Sequence, residues 1–314
     1  MSLSHTLAVF EALDSPRASG DTVRALLDAV PGVDLTIERV TGDRGSTDFV
    51  RIAVPGERGR HRGGSAPTLG IVGRLGGVGA RPSRLGLVSD ADGAVSAIAI
   101  ARKLAFMRRE GDVLAGDVIV TTHVCPDAPT KPHRPVDFMD SPVAIDAMNA
   151  REVRPEMDAV LSIDTTKGNR ILNVRGFAIS PTVKEGWILK VADDLLRLAE
   201  VSSGRAPVTF PITMQDITPY GNGVDHLNSI LQPATATVAP VVGLAICAES
   251  AVPGCATGAS HEIDIAEAVR FSIEVAKEYG AGTCRFYDEA EFARLVSLYG
   301  DMKRLQGSES GSQP

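Results

Sequence analysis

Short apolar runs alternate with longer amphipathic ones along this chain, and three of the apolar runs deliver an acid or a histidine just ahead of a helical pattern. The plainest is residues 87–95, Leu-Val-Ser-Asp-Ala-Asp-Gly-Ala-Val. Read as a strand ending at Ser89, it sets Asp90 and Asp92 at the strand mouth and starts a helix at Gly93. Residues 159–166 end in Asp164-Thr165-Thr166, and the small-residue run 254–260 ends in His261 before another helical pattern. Alternation of strands and helices predicts an α/β protein. Such proteins bind ligands beyond the carboxyl ends of their strands. Asp, Asp and His delivered there suit a hard or borderline metal such as zinc.

Periodicity predicts helices over residues 4–14, 19–30, 93–109, 192–201, 262–280 and 288–305. Strands are expected over 35–40, 49–54, 68–72, 118–122, 159–163, 176–180, 186–191 and 241–248. Ser19 reads as an N-cap. Arg108 and Arg109 suit a helix C-terminus. Residues 207–240, punctuated by glycine and proline, are long for a connection, which marks a functional loop or a misread element. The expected architecture is one α/β domain over 1–306, a three-layer αβα arrangement on a mixed, mostly parallel sheet. A disordered tail is expected over 307–314.

Composition excludes several classes. A formal net charge of −7 argues against a nucleic-acid footprint. Aromatic residues make up 4%, too few for a stacking platform for bases or sugars. No apolar run reaches the length of a membrane span. Residues 1–10 have neither a basic start nor a signal-like apolar core, so a cytoplasmic location is expected. Cys125, Cys247, Cys255 and Cys284 form no CxxC pair and are expected to be reduced.

Each candidate motif has a chemical reading and a plainer one. Gly73, Gly76, Gly77 and Gly79 are spaced GxxGGxG, which is not the dinucleotide fingerprint, and a tight turn accounts for them. Arg74, within that run, can clamp a carboxylate or phosphate, or form an ordinary salt bridge. Asp92 suits a helix cap, which leaves Asp90 as the spare carboxylate. His123, Cys125, Asp127 and His133 cluster densely. On a strand, His123 and Cys125 would share a face and could present two ligands to a metal. The plainer reading is a buried thiol, a turn aspartate and a solvated histidine. Asp164 ligates, handles protons, or forms an Asx-turn. Residues 215–229 crowd Asn222, His226 and Asn228 with other hydrogen-bonding groups, as an orienting loop for a polar substrate would.

Four runs resemble an uncharacterised bacterial and archaeal family classed as a domain of unknown function: residues 69–79, 86–95, 162–170 and 254–261. The order of elements also distantly resembles the co-catalytic zinc aminopeptidases. That resemblance implies a zinc-exopeptidase-like fold and maps the bridging aspartate to Asp90, an Asp-x-Thr ligand to Asp164 and the last histidine to His261. Arg74 stands where that group has its first ligand histidine. His123-Val124-Cys125 stands where it has its glutamate pair, and its inserted lid domain is missing. The resemblance then implies one divalent metal, zinc first, or none. Its ligands would come from Asp90, Cys125, Asp164 and His261, with His123 as a substitute for Cys125.

These readings converge on a metal-assisted hydrolase of an amide- or peptide-type bond in a small polar, anionic substrate. Asp92, His123 and Asp164 are its catalytic candidates, and Arg74, Asn222, His226 and Asn228 its substrate-binding candidates. The alternative is a metal-free, non-catalytic protein on the same fold that binds a small molecule or a partner. The resemblance also leads us to expect a homo-oligomer, because that group of peptidases assembles.

Overall fold

The computed structural model describes residues 1–30, 32–81, 86–134, 137–251 and 258–307. Helices α1 (Ser2–Leu13) and α2 (Gly20–Asp28) precede a hairpin of β1 (Asp34–Gly42) and β2 (Gly45–Val54). Next come β3 (Leu69–Gly73), α3 (Asp92–Arg109) and β4 (Val118–Val124). A small separate hairpin, β5 (Thr130–Lys131) and β6 (Phe138–Met139), leads to α4 (Ile145–Glu152) and β7 (Ala159–Thr166). Then follow β8 (Gly176–Ile179), β9 (Val183–Lys184), β10 (Trp187–Ile188) and α5 (Asp193–Ser203). The last elements are β11 (Val241–Cys247), α6 (Glu262–Ala281) and α7 (Glu289–Tyr299).

The main sheet runs β1-β2-β4-β3-β7-β11-β9-β10, with β8 also paired to β11. Its four central strands, β4, β3, β7 and β11, are parallel, and the flanking strands are antiparallel. Strands β3, β4 and β11 are buried along their whole length. β3 and β11 read as continuous apolar runs because both faces of the sheet are covered, while β4 also buries Thr121, Thr122 and His123. This is the α/β fold the sequence implies.

Strand alternation sorts the core into two layers. Ile52, Ile71, Val120, Leu161 and Leu244 face the layer that holds α1, α3 and α6. Val72, Ile119, Val160 and Ala245 face the other way, onto Phe210, Ile217, Ile230 and Leu231. That second face is covered by α4 and by residues 208–235, which contain two 3-10 turns, Met214–Ile217 and Ser229–Thr235. The long polar segment is thus a packed cover whose apolar residues insert singly between prolines.

The chain leaves β3 through α3 to β4 on one side and leaves β7 for β11 on the other. Neighbouring parallel strands whose connections diverge open a crevice at their carboxyl ends, and this is the switch point where α/β folds bind ligands. Gly93 brings α3 onto both strand ends. A Cβ there would lie 1.9 Å from the Arg74 carbonyl oxygen and 2.6 Å from that of Ile163.

Several expectations are revised. Leu87 and Val88 are not a strand. They lead into a 3-10 turn, Ser89–Ala91, and β3 is the strand that feeds the crevice. Helix α4 was not foreseen, and the last long helix stops at Tyr299. Residues 252–257 and 308–314, which include Cys255 and most of the small-residue run and tail, lie outside the described residues. Among the described residues no helix is long and apolar enough to cross a membrane.

Gly93→Ala tests the seating of α3. Alanine gains about 1 kcal/mol of helix propensity. Overpacking against two backbone oxygens costs more, so a net loss of roughly 2 kcal/mol is expected. Urea unfolding reads it as a lower midpoint at unchanged slope. An unchanged midpoint would mean that α3 does not rest on these strand ends.

Candidate active site

Arg74 follows β3 and is 1% exposed, although it is an arginine. Its Nε lies 3.0 Å from Oε2 of the fully buried Glu152 on α4, and its Nη2 donates to Asn149 Oδ1. The other oxygen of Glu152 is 2.7 Å from His123 Nδ1, while His123 Nε2 accepts the Gly76 N–H at 3.1 Å. The ring proton therefore sits on Nδ1 and faces Glu152. Asn149 Nδ2 donates to Thr235 Oγ1 at 3.3 Å, and Gln232 Nε2 donates to the Thr218 carbonyl at 2.9 Å. One buried polar network thus ties β4, β3 and α4 to the cover segment. Arg74 Nη1 has no hydrogen-bond partner among the described residues, and Arg74 lines the open cleft.

Beside it are two carboxylates. Asp90 comes from the 3-10 turn before α3, and Asp164 from β7, and both are buried. Asp164 Oδ1 accepts the Thr165 N–H at 2.7 Å, and Oδ2 accepts the Ser229 hydroxyl at 3.0 Å. Burial, and then the charge of Asp90, hold Asp164 well above the ordinary carboxylate value of 3.8, against the pull of those bonds and of Arg74. Like charges in one site cannot both ionise freely. Burial also pushes the Tyr220 hydroxyl up to about 12.

These groups open into a cleft of about 1060 Å³. Asp140 anchors Arg44 and Lys131 at its rim, the latter at 3.2 Å. The cover loop supplies Tyr220, His226 and Ser229 to the cleft. Fully buried Asp216 holds that loop, accepting the N–H groups of Thr213 at 2.8 Å, Leu227 at 2.7 Å and Asn228 at 2.9 Å.

The structure gathers some of the predicted residues and disperses others. Arg74, Asp90, Asp164 and His226 line the cleft. Asp92 does not cap α3. It is buried behind the cleft lining, with Lys167 Nζ 2.6 Å and Thr165 Oγ1 3.2 Å from its Oδ2. His123 has both ring nitrogens engaged and lies outside the lining. Cys125 turns away to the Ser46 carbonyl, and burial pushes its thiol up to about 11, which disfavours the thiolate a metal needs. His261 is exposed and lines a different recess, with Arg175 and Glu249. Asn222 and Asn228 bond within their own loop, to Thr218 and Asp216. No group of three His, Cys, Asp or Glu side chains that could hold a metal exists among the described residues. The donors Asp90, Cys125, Asp164 and His261 are not brought together, and this donor set does not fit a zinc ion.

Sequence reasoning missed Glu152 and Asn149, and it placed Asp216 only among the hydrogen-bonding groups of residues 215–229. The run Ile145-Asp-Ala-Met-Asn-Ala-Arg-Glu152 is rich in good helix formers, which was the available signal for α4. Fold and site together define an α/β protein with a carboxylate-bearing cleft at the switch point of its sheet. A family model described as a protein of unknown function (DUF1177) matches residues 38–309, and the chain belongs to that family. No curated protein matches the sequence.

Glu152→Gln keeps the shape but leaves the Arg74 charge buried without its counter-ion. Breaking such a pair costs about 3 kcal/mol or more, read as a lower urea midpoint. A change within experimental error would show that the ion pair does not hold α4. For Asp164→Asn the sign follows from the raised pKa of the folded state. Both states are protonated in acid, and as pH rises the unfolded carboxylate ionises first, which favours unfolding. The asparagine variant is therefore expected to gain on wild type from about pH 4 upward and to match it in stronger acid. A stability difference independent of pH would refute this account of Asp164.

Proposed function

We propose that this protein hydrolyses an amide- or peptide-type bond in a small polar molecule, with Asp90 and Asp164 as its acid–base pair. One observation carries the reading. Two buried carboxylates, delivered by different elements, line one large cleft at the switch point together with the buried Arg74. On this reading the sheet is a zinc-exopeptidase-like frame in which Arg74 and its buried partners stand in the place of metal ligands. No step is assigned to a metal, because the donor set does not fit one.

The roles follow from the environments. Asp90, ionised, takes a proton from a water molecule as its oxygen attacks the carbonyl carbon. The fixed positive charge of Arg74 stabilises the oxyanion that develops, and a charge already held in place costs little reorganisation. The C–N bond then breaks, and the leaving nitrogen takes the proton held on Asp164. The products are a carboxylic acid and an amine. Solvent returns the proton from Asp90 to Asp164. Carboxylates that share a site separate into one acid and one base in this way.

The test is a hydrolysis screen of dipeptides and N-acyl amino acids in the presence of EDTA, with metal content measured by elemental mass spectrometry. Asp90→Asn and Asp164→Asn are each expected to lower kcat by about 10²- to 10⁴-fold. In the wild type kcat/KM should fall on the alkaline side as Asp164 loses its proton. Activity that disappears on chelation and returns with zinc would overturn this route in favour of the metal-assisted one. Tight binding of the same compounds without turnover would leave a binding protein.

A further inference from the structure

The cleft has a second character beside its polar floor. Phe49, Val143 and Met148 form a small apolar cluster apart from the two main core layers, and Leu75 and Ile145 pack against it while only half buried. Leu75, Val143, Ile145 and Met148 all line the cleft. This cluster is a wall as well as a core, because two of its members keep apolar surface open to the cavity. The wall and the reacting groups are joined in sequence: Arg74 and Leu75 are consecutive, so one turn of chain delivers a guanidinium and an isobutyl group to the same space. At the mouth, Phe138 is 50% and Leu227 73% exposed, and both line the cleft.

The charges narrow the ligand further. Arg44 and Lys131 share Asp140, Lys167 is held by Asp92, and Arg74 by Glu152. Those four cations face three partner carboxylates, and Asp90, Asp146 and Asp164 line the same cleft, which leaves little net positive charge to recognise a highly anionic ligand. The cavity, near the upper end of small-ligand sites, is also larger than a purely polar fragment requires.

We infer that the substrate is amphipathic: an N-acyl amino acid or similar amide whose branched aliphatic or aromatic group packs on Leu75, Val143, Ile145 and Met148. Its scissile carbonyl lies toward Arg74 and the carboxylate pair. This assignment rests on the cleft being the substrate site proposed above, and it adds the specificity. Burying a leucine-sized side chain is expected to tighten binding roughly 10- to 100-fold over glycine.

N-acetyl-L-leucine and N-acetylglycine are titrated calorimetrically into Asp90→Asn protein, so that affinity is read without turnover. Initial hydrolysis rates for the same pair are measured on wild type. The expected result is at least tenfold tighter binding of the leucine compound. That preference should collapse when Ile145→Asn or Leu75→Asn is added to the Asp90→Asn background. Both wall positions are half buried, and each variant is used only if its urea midpoint matches its parent. Equal affinities, no binding of either compound at millimolar concentration, or a preference that survives both wall variants would overturn the inference. Hydrolysis without side-chain preference would overturn it and leave the hydrolase reading standing. Preferential binding without hydrolysis would do the reverse.

Discussion

The buried charge of Arg74 is the constraint on which the site depends. A guanidinium removed from water loses several kcal/mol of solvation. It persists here because Glu152 and Asn149 meet it from α4. Glu152 in turn requires a second donor, and His123 on β4 supplies one. None of the three is stable in this interior without the others. Their joint contribution to stability is small beside a well-packed apolar core of the same volume, because Coulombic gain and desolvation nearly cancel. What they add is position. Helix α4 has one place where its glutamate reaches the guanidinium, and that place sets the apolar wall of the cleft.

The same accounting applies across the cleft. Most of its cations are held by carboxylates the chain itself supplies, at Asp92, Asp140 and Glu152. Asp164 differs in kind. Asp164 is satisfied by neutral donors, the Thr165 N–H and the Ser229 hydroxyl, and it feels Asp90 as a like charge. Neutral hydrogen bonds do not repay the burial of an ionised carboxylate, and this holds Asp164 above the ordinary carboxylate range.

Much of this was legible in sequence where position along a strand decided the outcome. Arg74, Asp90 and Asp164 were singled out because they follow or flank apolar runs, and all three line the cleft. The metal constellation failed for a local reason. His123 and Cys125 share a face only while the strand continues, and β4 ends at Val124. Cys125 then bends to exchange backbone bonds with Gly76 and Val78, and its thiol leaves the site. Glu152 was illegible for the opposite reason. In a short helix that also carries Asp146 and Arg151, a glutamate reads as solvated, and nothing local says that its counter-charge comes from 78 residues (152 − 74) earlier in the chain. The cover segment resisted reading because its apolar residues are spaced by prolines and turns, with neither a period of two nor one of 3.6.

That cover also completes the surroundings of Asp164. Ser229 reaches Asp164 only while residues 208–235 lie on the sheet, and Asp216 ties the turns that hold them there. Burial is the largest influence raising Asp164, and the Ser229 bond is a smaller one lowering it.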